Sequence, residues 1–220
     1  MEKVVRKTPL LYFLGKSLIR GFLRLFYRLE IHAPKIPYVG AAIIAANHTS
    51  FLDPPVLGVA WPEEVHFLAR KTLFDIPLLG WLIRKCNTHP LKGDVGDVAV
   101  FKEMIHLLQE GKKVILFPEG QRSYDDRIAD IKPGIALLVS KTRAAIIPAY
   151  IFGTFEAWPR TRKFPKLCKK IGCVFGSPLF WESESHLDKK QAQEAFALQV
   201  KEALQNLKLW YESGAQGTPP

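Results

Sequence analysis

The sequence predicts an α/β domain, a mixed β-sheet flanked by helices, with an N-terminal membrane-surface helix. Three observations carry that expectation. Continuous apolar runs bounded by turn residues, at 38–46, 114–117 and 145–151, have the length of buried strands. Between them lie segments with three- and four-residue apolar spacing, and this alternation marks a layered α/β fold. Ahead of them stands a segment apolar on one side and basic on the other.

That first segment starts with Thr8 as a candidate N-cap and Pro9 at the first helical position, and runs to about Leu29. Lys16, Arg20, Arg24 and Arg28 interrupt its apolar run. A transmembrane span needs roughly 18 or more consecutive apolar residues, so a span is not expected. No small-residue cleavage site follows, which argues against a signal peptide. Steps of four residues advance a helix by about 40°, so the four cations fall within an arc of about 120°. The remaining arc carries Leu11, Leu14, Leu18, Phe22, Leu25 and Phe26. An interfacial helix has this form, with its cations at the phosphate level and its apolar side in the acyl boundary. Lys16, Arg20, Arg24, Arg28, Phe22 and Phe26 are the candidate membrane contacts. A helix packed on the protein's own core with a solvated basic face would show the same pattern.

The following elements are read in order. Residues 38–46 form a buried strand between Pro37 and Asn47. Residues 54–60 form a helix with proline in its first turn. A short strand at 65–69 precedes a helical stretch at 72–83, broken by Pro77 and Gly80. Residues 98–108 have helical periodicity ended by Gly111; strand 114–117 stops at Pro118. A helix at 133–141 leads to strand 145–151, and 171–175 is a fourth strand candidate. In the last helix Asp188 and Gln191 form a capping-box pattern, followed by apolar positions at Phe196, Val200, Ala203, Leu207 and Trp210. The division expected is residues 1–30 as the membrane-associating helix, 31–213 as the catalytic domain and 214–220 as a flexible tail.

Composition bounds the function. At 220 residues the chain suits one well-cored domain. Its net charge of +10 calls for an anionic partner: nucleic acid, lipid headgroups, an acidic carrier or a phosphate-bearing substrate. Nothing matches a nucleic-acid-binding module, so nucleic acid is not expected. Cys86, Cys168 and Cys173 make no disulfide framework, and no paired ligand spacing supports zinc. Reduced thiols suit the cytoplasmic face of a membrane. The basic stretch of Arg160, Arg162, Lys163, Lys166, Lys169 and Lys170 suits anionic headgroups or an acidic carrier, and equally a solvated loop.

Functional groups of α/β folds gather past the carboxyl ends of strands. Two strands end in polar sequence: Asn47-His48-Thr49-Ser50-Phe51-Leu52-Asp53-Pro54, and Pro118-Glu119-Gly120-Gln121-Arg122-Ser123. A carboxylate bonded to one imidazole nitrogen fixes the tautomer and makes the other nitrogen a better base. No G-x-S-x-G elbow supplies a protein nucleophile, so the hydroxyl that His48 would deprotonate belongs to a substrate. By itself the pair also fits a strand-end histidine and a helix-capping aspartate.

Together the two stretches, about seventy residues apart, resemble the glycerolipid acyltransferase family. The resemblance extends through Lys132-x-Gly134 and Ile147-Pro148, covering about residues 40 to 150. It implies transfer of an acyl group from a thioester, acyl-CoA or acyl carrier protein, to the hydroxyl of lysophosphatidic acid, giving phosphatidate and requiring no metal or other cofactor. His48 would be the base and Asp53 its orienting partner. Glu119, Gly120 and Ser123 would shape the acceptor site, and Arg122 would hold the acceptor phosphate through its planar fork. Where the family usually shows an arginine, this chain has Lys92, a point charge without that fork. Another lysophospholipid or polyol acceptor keeps the same chemistry, and a non-catalytic basic membrane-binding protein is the alternative of another class.

Overall fold

The computed structural model describes residues 10–33, 38–91, 98–182 and 188–220. Its first half runs α1 (Leu10–Tyr27), β1 (Glu30–His32), β2 (Ala42–Ala46), α2 (Asp53–Ala60), β3 (Phe67–Arg70), α3 (Lys71–Phe74), α4 (Leu79–Lys85) and β4 (Thr88–Leu91). The second half runs α5 (Val98–Gln109), β5 (Lys113–Leu116), α6 (Gly134–Thr142), β6 (Ala145–Phe152), α7 (Thr154–Ala157), β7 (Gly172–Phe175) and α8 (Lys189–Glu212). Thr8, Pro9 and Lys92 lie outside the described residues.

The central sheet has the order β1-β7-β6-β2-β5. It is mixed, as expected: β6, β2 and β5 run parallel, while β7 pairs antiparallel to β6 and parallel to β1. All residues of β2 and β6 are buried, which their unbroken apolar sequences require of central strands covered on both faces. A parallel bridge between His66 and Val114 joins the small β3–β4 sheet to the β5 edge.

Helices cover both faces. Val56, Leu57 and Val59 of α2, with Leu23 and Tyr27 of α1, pack on Ala42, Ile44, Ile147 and Ile151. On the other face, residues of α5, α6 and α8 pack on Ile43, Ala45, Val114 and Ile146. The even and odd positions of β2 thus serve opposite cores. α8 starts as expected: the Asp188 carboxylate accepts the N–H groups of Lys190 and Gln191, and Gln191 returns the bond.

Two features differ from the sequence expectation. The strand expected from Tyr38, β2, begins at Ala42, because Gly40 takes a left-handed φ of +120° and turns the chain there. The short β1, β4 and α7 offer too few residues for any periodicity to register. In the tail at 214–220 the Gln216 carbonyl accepts the Trp210 indole N–H at 2.9 Å, and Pro220 O accepts Ser177 N–H at 3.0 Å.

α1 packs on the domain through part of its surface. Leu23 and Tyr27 are core residues, and each such burial stabilises by about 1.5–3 kcal/mol. Lys16, expected at lipid phosphates, instead turns inward and donates to the carbonyls of Trp61, Pro62 and Glu63 at the carboxyl end of α2. A cation there opposes the negative end of the helix dipole, and burial lowers the ammonium pKa to about 8. Arg20 is half-buried and Phe26 packs against the core. What remains outward is an apolar face: Leu10, Leu11, Leu14, Leu18 at 76% exposure, Phe22 and Leu25 at 77%. Among the described residues no helix is long and apolar enough to cross a membrane.

Candidate active site

Parallel pairing of β2 with β5 places Ala45 beside Leu116, so the polar stretches after the two strands leave the sheet side by side. Asn47 prolongs the β2–β6 ladder with its side chain: its amide nitrogen donates to the Ile151 carbonyl at 3.0 Å, and its Oδ1 accepts Ile151 N–H at 2.7 Å. The backbone is thereby held while it turns away from the sheet.

The turn closes on Asp53, which is fully buried. Its Oδ2 accepts the backbone N–H groups of Thr49 and Ser50, both at 2.7 Å, and lies 2.8 Å from His48 Nδ1. Its Oδ1 accepts the Thr154 hydroxyl at 2.6 Å. A carboxylate is acceptor-only, so the imidazole donates from Nδ1 and Nε2 keeps its lone pair. The ring lies 3.9 Å from Phe117, nearly parallel at 16°, which fixes its plane. Ser50 completes the loop, its hydroxyl donating to the Trp158 carbonyl at 2.7 Å and accepting Leu52 N–H at 3.0 Å.

The second stretch is fastened to the first. His48 donates its backbone N–H to Glu119 Oε1 at 2.9 Å, and Ser123 N–H donates to the His48 carbonyl at 2.7 Å. Glu119 Oε2 accepts Ala129 N–H at 3.2 Å. Burial raises the Glu119 carboxyl to about 7 despite those two donors. Gly120 has φ +81°, and a Cβ there would sit 2.7 Å from Lys132 Nζ. The Ser123 hydroxyl, expected to meet substrate, is turned to Asp125 Oδ1 at 2.9 Å, so Ser123 serves the site through its backbone.

Arg122 lies in this same site. Its guanidinium lies 3.7 Å above the Phe51 ring, in the loop between His48 and Asp53, and its Nη1 is buried with no partner among the described residues. Phe51 in turn contacts Trp158 at 5.1 Å. Arg160 donates to the Arg122 carbonyl at 2.9 Å while its own guanidinium covers Tyr124 at 4.0 Å. Burial, then the positive charges of Arg160 and Arg70, lower the Arg122 pKa, with nearby Asp53 opposing them. Both guanidinium groups are half-buried on aromatic rings and have no carboxylate partner among the described residues, so their charge is available to an anion.

His48, Asp53, Glu119, Gly120, Arg122 and Ser123 are therefore brought together, whereas Lys92 lies outside the described residues. Thr154, Arg160, Phe51, Phe117 and Trp158 also belong to the site. Thr154 follows the carboxyl end of β6, the third parallel strand, so the strand-end rule that marked the other two stretches points to it as well. Among the described residues no group of three or more His, Cys, Asp or Glu side chains is arranged to hold a metal ion.

Comparison with known proteins adds to this geometry. The Acyltransferase family model matches residues 28–152. A chloroplastic 1-acyl-sn-glycerol-3-phosphate acyltransferase of Arabidopsis thaliana is 33% identical over 138 residues, 61% of this chain and 38% of that one. A 1-acyl-sn-glycerol-3-phosphate acyltransferase of Bacillus subtilis is 26% identical over 173 residues, 78% of this chain and 83% of that one. The chain thus spans little more than a third of the plant relative and most of the bacterial one. The crystal structure of the 1-acyl-sn-glycerophosphate acyltransferase from Thermotoga maritima superposes with a TM-score of 0.68 and 25% identity, covering 90% of this chain and 78% of that one.

Proposed function

This chain belongs to the acyltransferase family, and from that premise we propose that it moves a fatty acyl group from a thioester to the free hydroxyl of 1-acyl-sn-glycerol-3-phosphate, giving phosphatidate. The observation that carries the reading is the joining of the two strand-end stretches: Ser123 N–H on the His48 carbonyl, and the Arg122 guanidinium on Phe51. The stretch that carries the proposed base is thereby joined to the one that carries the proposed anion-binding group.

In the reaction, Nε2 of His48 takes the proton of the acceptor hydroxyl as its oxygen attacks the thioester carbonyl. The new C–O bond forms, the C–S bond breaks, and the leaving thiolate takes the proton back from the imidazolium. Asp53 holds the ring and stabilises its transient charge. Arg122, with Arg160 beside it, holds the acceptor phosphate and so positions the hydroxyl. The step balances with donor and acceptor alone, and coenzyme A or acyl carrier protein would serve as the thiol.

The site faces an insoluble substrate, and the outward leucines of α1 with exposed Arg24 and Arg28 support a seat on an anionic bilayer surface. The cytoplasmic face is the proposed side, supported by the free thiols Cys86, Cys168 and Cys173.

A donor-by-acceptor panel with purified protein tests the reading. Acylation of lysophosphatidate by the wild type and its loss in His48→Ala is the expected result; equal turnover by the two proteins would overturn the role of His48.

A further inference from the structure

The basic stretch at 160–170 divides into two groups with different surroundings. Arg160 belongs to the active site through its bond to the Arg122 carbonyl. Arg162 closes its own turn, donating to the Glu156 carbonyl at 2.9 Å, while its carbonyl receives the Trp158 indole N–H at 3.1 Å. Lys170 pairs with Glu30 at 2.9 Å and lies 5.7 Å from the Tyr211 ring centroid. Lys163, Lys166 and Lys169 are exposed and have no ion pair among the described residues. Between them project Phe164, 69% exposed, and Leu167, 48% exposed.

This segment is bound to α1. Cys168 N–H donates to the Phe26 carbonyl at 2.7 Å, Arg28 donates to the Cys168 carbonyl at 3.4 Å, and Ile171 N–H donates to the Tyr27 carbonyl at 3.2 Å. The outward apolar face of α1 ends at Phe22 and Leu25, one turn before that junction. At its other end the segment joins the active site, where the Trp158 carbonyl receives the Ser50 hydroxyl. Lys163 lies 5.4 Å from the Phe164 ring centroid. Two apolar side chains among three lysines that have no ion pair among the described residues, continuous with a helix that exposes leucines, match the layering of a lipid interface: apolar groups below, cations at the phosphates.

We propose that the 163–169 segment is a second bilayer contact, with Phe164 and Leu167 entering the acyl boundary of an anionic leaflet and Lys163, Lys166 and Lys169 meeting its phosphates. The inference rests on the reading of α1 as a bilayer-facing helix and extends it to two points. A single helix fixes one axis on the surface. A second contact also fixes rotation about that axis, so the proposed acceptor site at Arg122 takes a constant bearing to the leaflet.

The test is flotation of the full chain with vesicles of phosphatidylcholine alone or with added phosphatidylglycerol. Three variants are compared with the wild type: Lys163→Gln/Lys166→Gln/Lys169→Gln, Phe164→Ser/Leu167→Ser, and Leu14→Ser/Leu18→Ser on α1. Partitioning onto anionic vesicles should fall about fivefold per lysine removed, and about tenfold or more for the apolar pair. Turnover of a short-chain, water-soluble acceptor should stay at the wild-type rate, showing that the loop variants are folded. If only the α1 variant loses binding, the loop proposal is overturned while the helix reading stands. Unchanged flotation with a raised KM for an acyl carrier protein donor would also overturn it, assigning the lysines to an acidic protein instead.

Discussion

The Thr154 hydroxyl donates to Asp53 Oδ1 at 2.6 Å, joining residues a hundred positions apart beneath the imidazole of His48. That bond fills the acceptor position of Asp53 on the side away from the ring, so Oδ2 stays aimed at Nδ1. Thr154 is fully buried and acts through Asp53, which makes it a positioning residue. Hydrogen bonds to charged groups contribute about 1.5–3 kcal/mol. Thr154→Val should therefore lower kcat about tenfold or more with little change in either KM, and Thr154→Ser should restore most of it. Steady-state kinetics on the three proteins decide the matter: an effect confined to KM would place Thr154 at the substrate instead.

His48 and Asp53 should separate cleanly in a comparison of activity with stability. His48→Ala removes the proposed base and should cost about 10²–10⁴ in kcat, while only a partly exposed side chain leaves the fold. Asp53→Ala removes the base's orienting partner and also strips Thr49 N–H and Ser50 N–H of their buried acceptor. Each unsatisfied group costs about 1–3 kcal/mol. Urea denaturation should accordingly show the midpoint falling for Asp53→Ala and holding for His48→Ala.

Much of this arrangement was legible in the sequence because it lies at strand ends. Unbroken apolar runs located β2, β5 and β6, and the polar residues following the first two gave His48, Asp53, Glu119 and Arg122. The rest depended on contacts between distant segments. Thr154 gains its role from a carboxylate a hundred residues earlier, and no local pattern records that. Arg160 looked like one charge among six, and only its bond to the Arg122 carbonyl distinguishes it from Lys163. On α1 the cations Lys16, Arg20 and Arg24 share one side of the helix, while Arg28, at φ +44°, lies just past its end. The direction of that side was set by something the sequence does not display, the free carbonyls at the end of α2 that draw Lys16 inward.

Glu119 gives the fold a pH dependence of definite sign. Its carboxyl is raised by burial from the ordinary 4.5 to about 7. Between those values the folded chain holds a proton that the unfolded chain has released, so stability falls as pH rises across that window and levels off above it. Glu119→Gln cannot ionise and should lack this slope, at the cost of one backbone bond to His48 or Ala129. Denaturation midpoints at pH 5, 6, 7 and 8 should therefore show the two proteins converging as pH rises. Parallel curves would mean that Glu119 is already ionised throughout.

Gly120 holds a conformation that a side chain resists. At φ +81° an alanine carries a backbone penalty of about 1–2 kcal/mol, and its Cβ would also meet Lys132 Nζ. The lysine tip can swing away; the backbone cannot. Gly120→Ala should thus be destabilising by a similar amount in the wild type and in a Lys132→Ala background, as read by urea denaturation. Full recovery in the second background would make the contact, rather than the conformation, the reason for glycine.

The two stacked arginines make a prediction about substrate choice. Arg122 presents a buried Nη1 without a partner among the described residues, and Arg160 donates to its backbone carbonyl. Losing a charge-assisted bond to phosphate costs about 1.5–3 kcal/mol, or about 10- to 150-fold in affinity. Arg122→Ala should raise the KM for lysophosphatidate by that order while leaving the donor KM alone, and Arg122→Lys should recover charge without the two-pronged geometry. Arg160→Ala should act in the same direction and more weakly, since Arg122 remains. A monoacylglycerol offers the hydroxyl without the phosphate, and its slower turnover should be nearly indifferent to all three changes. If monoacylglycerol and lysophosphatidate lose activity in equal proportion, the arginines hold the loop rather than the phosphate, because a structural defect cannot tell the two acceptors apart.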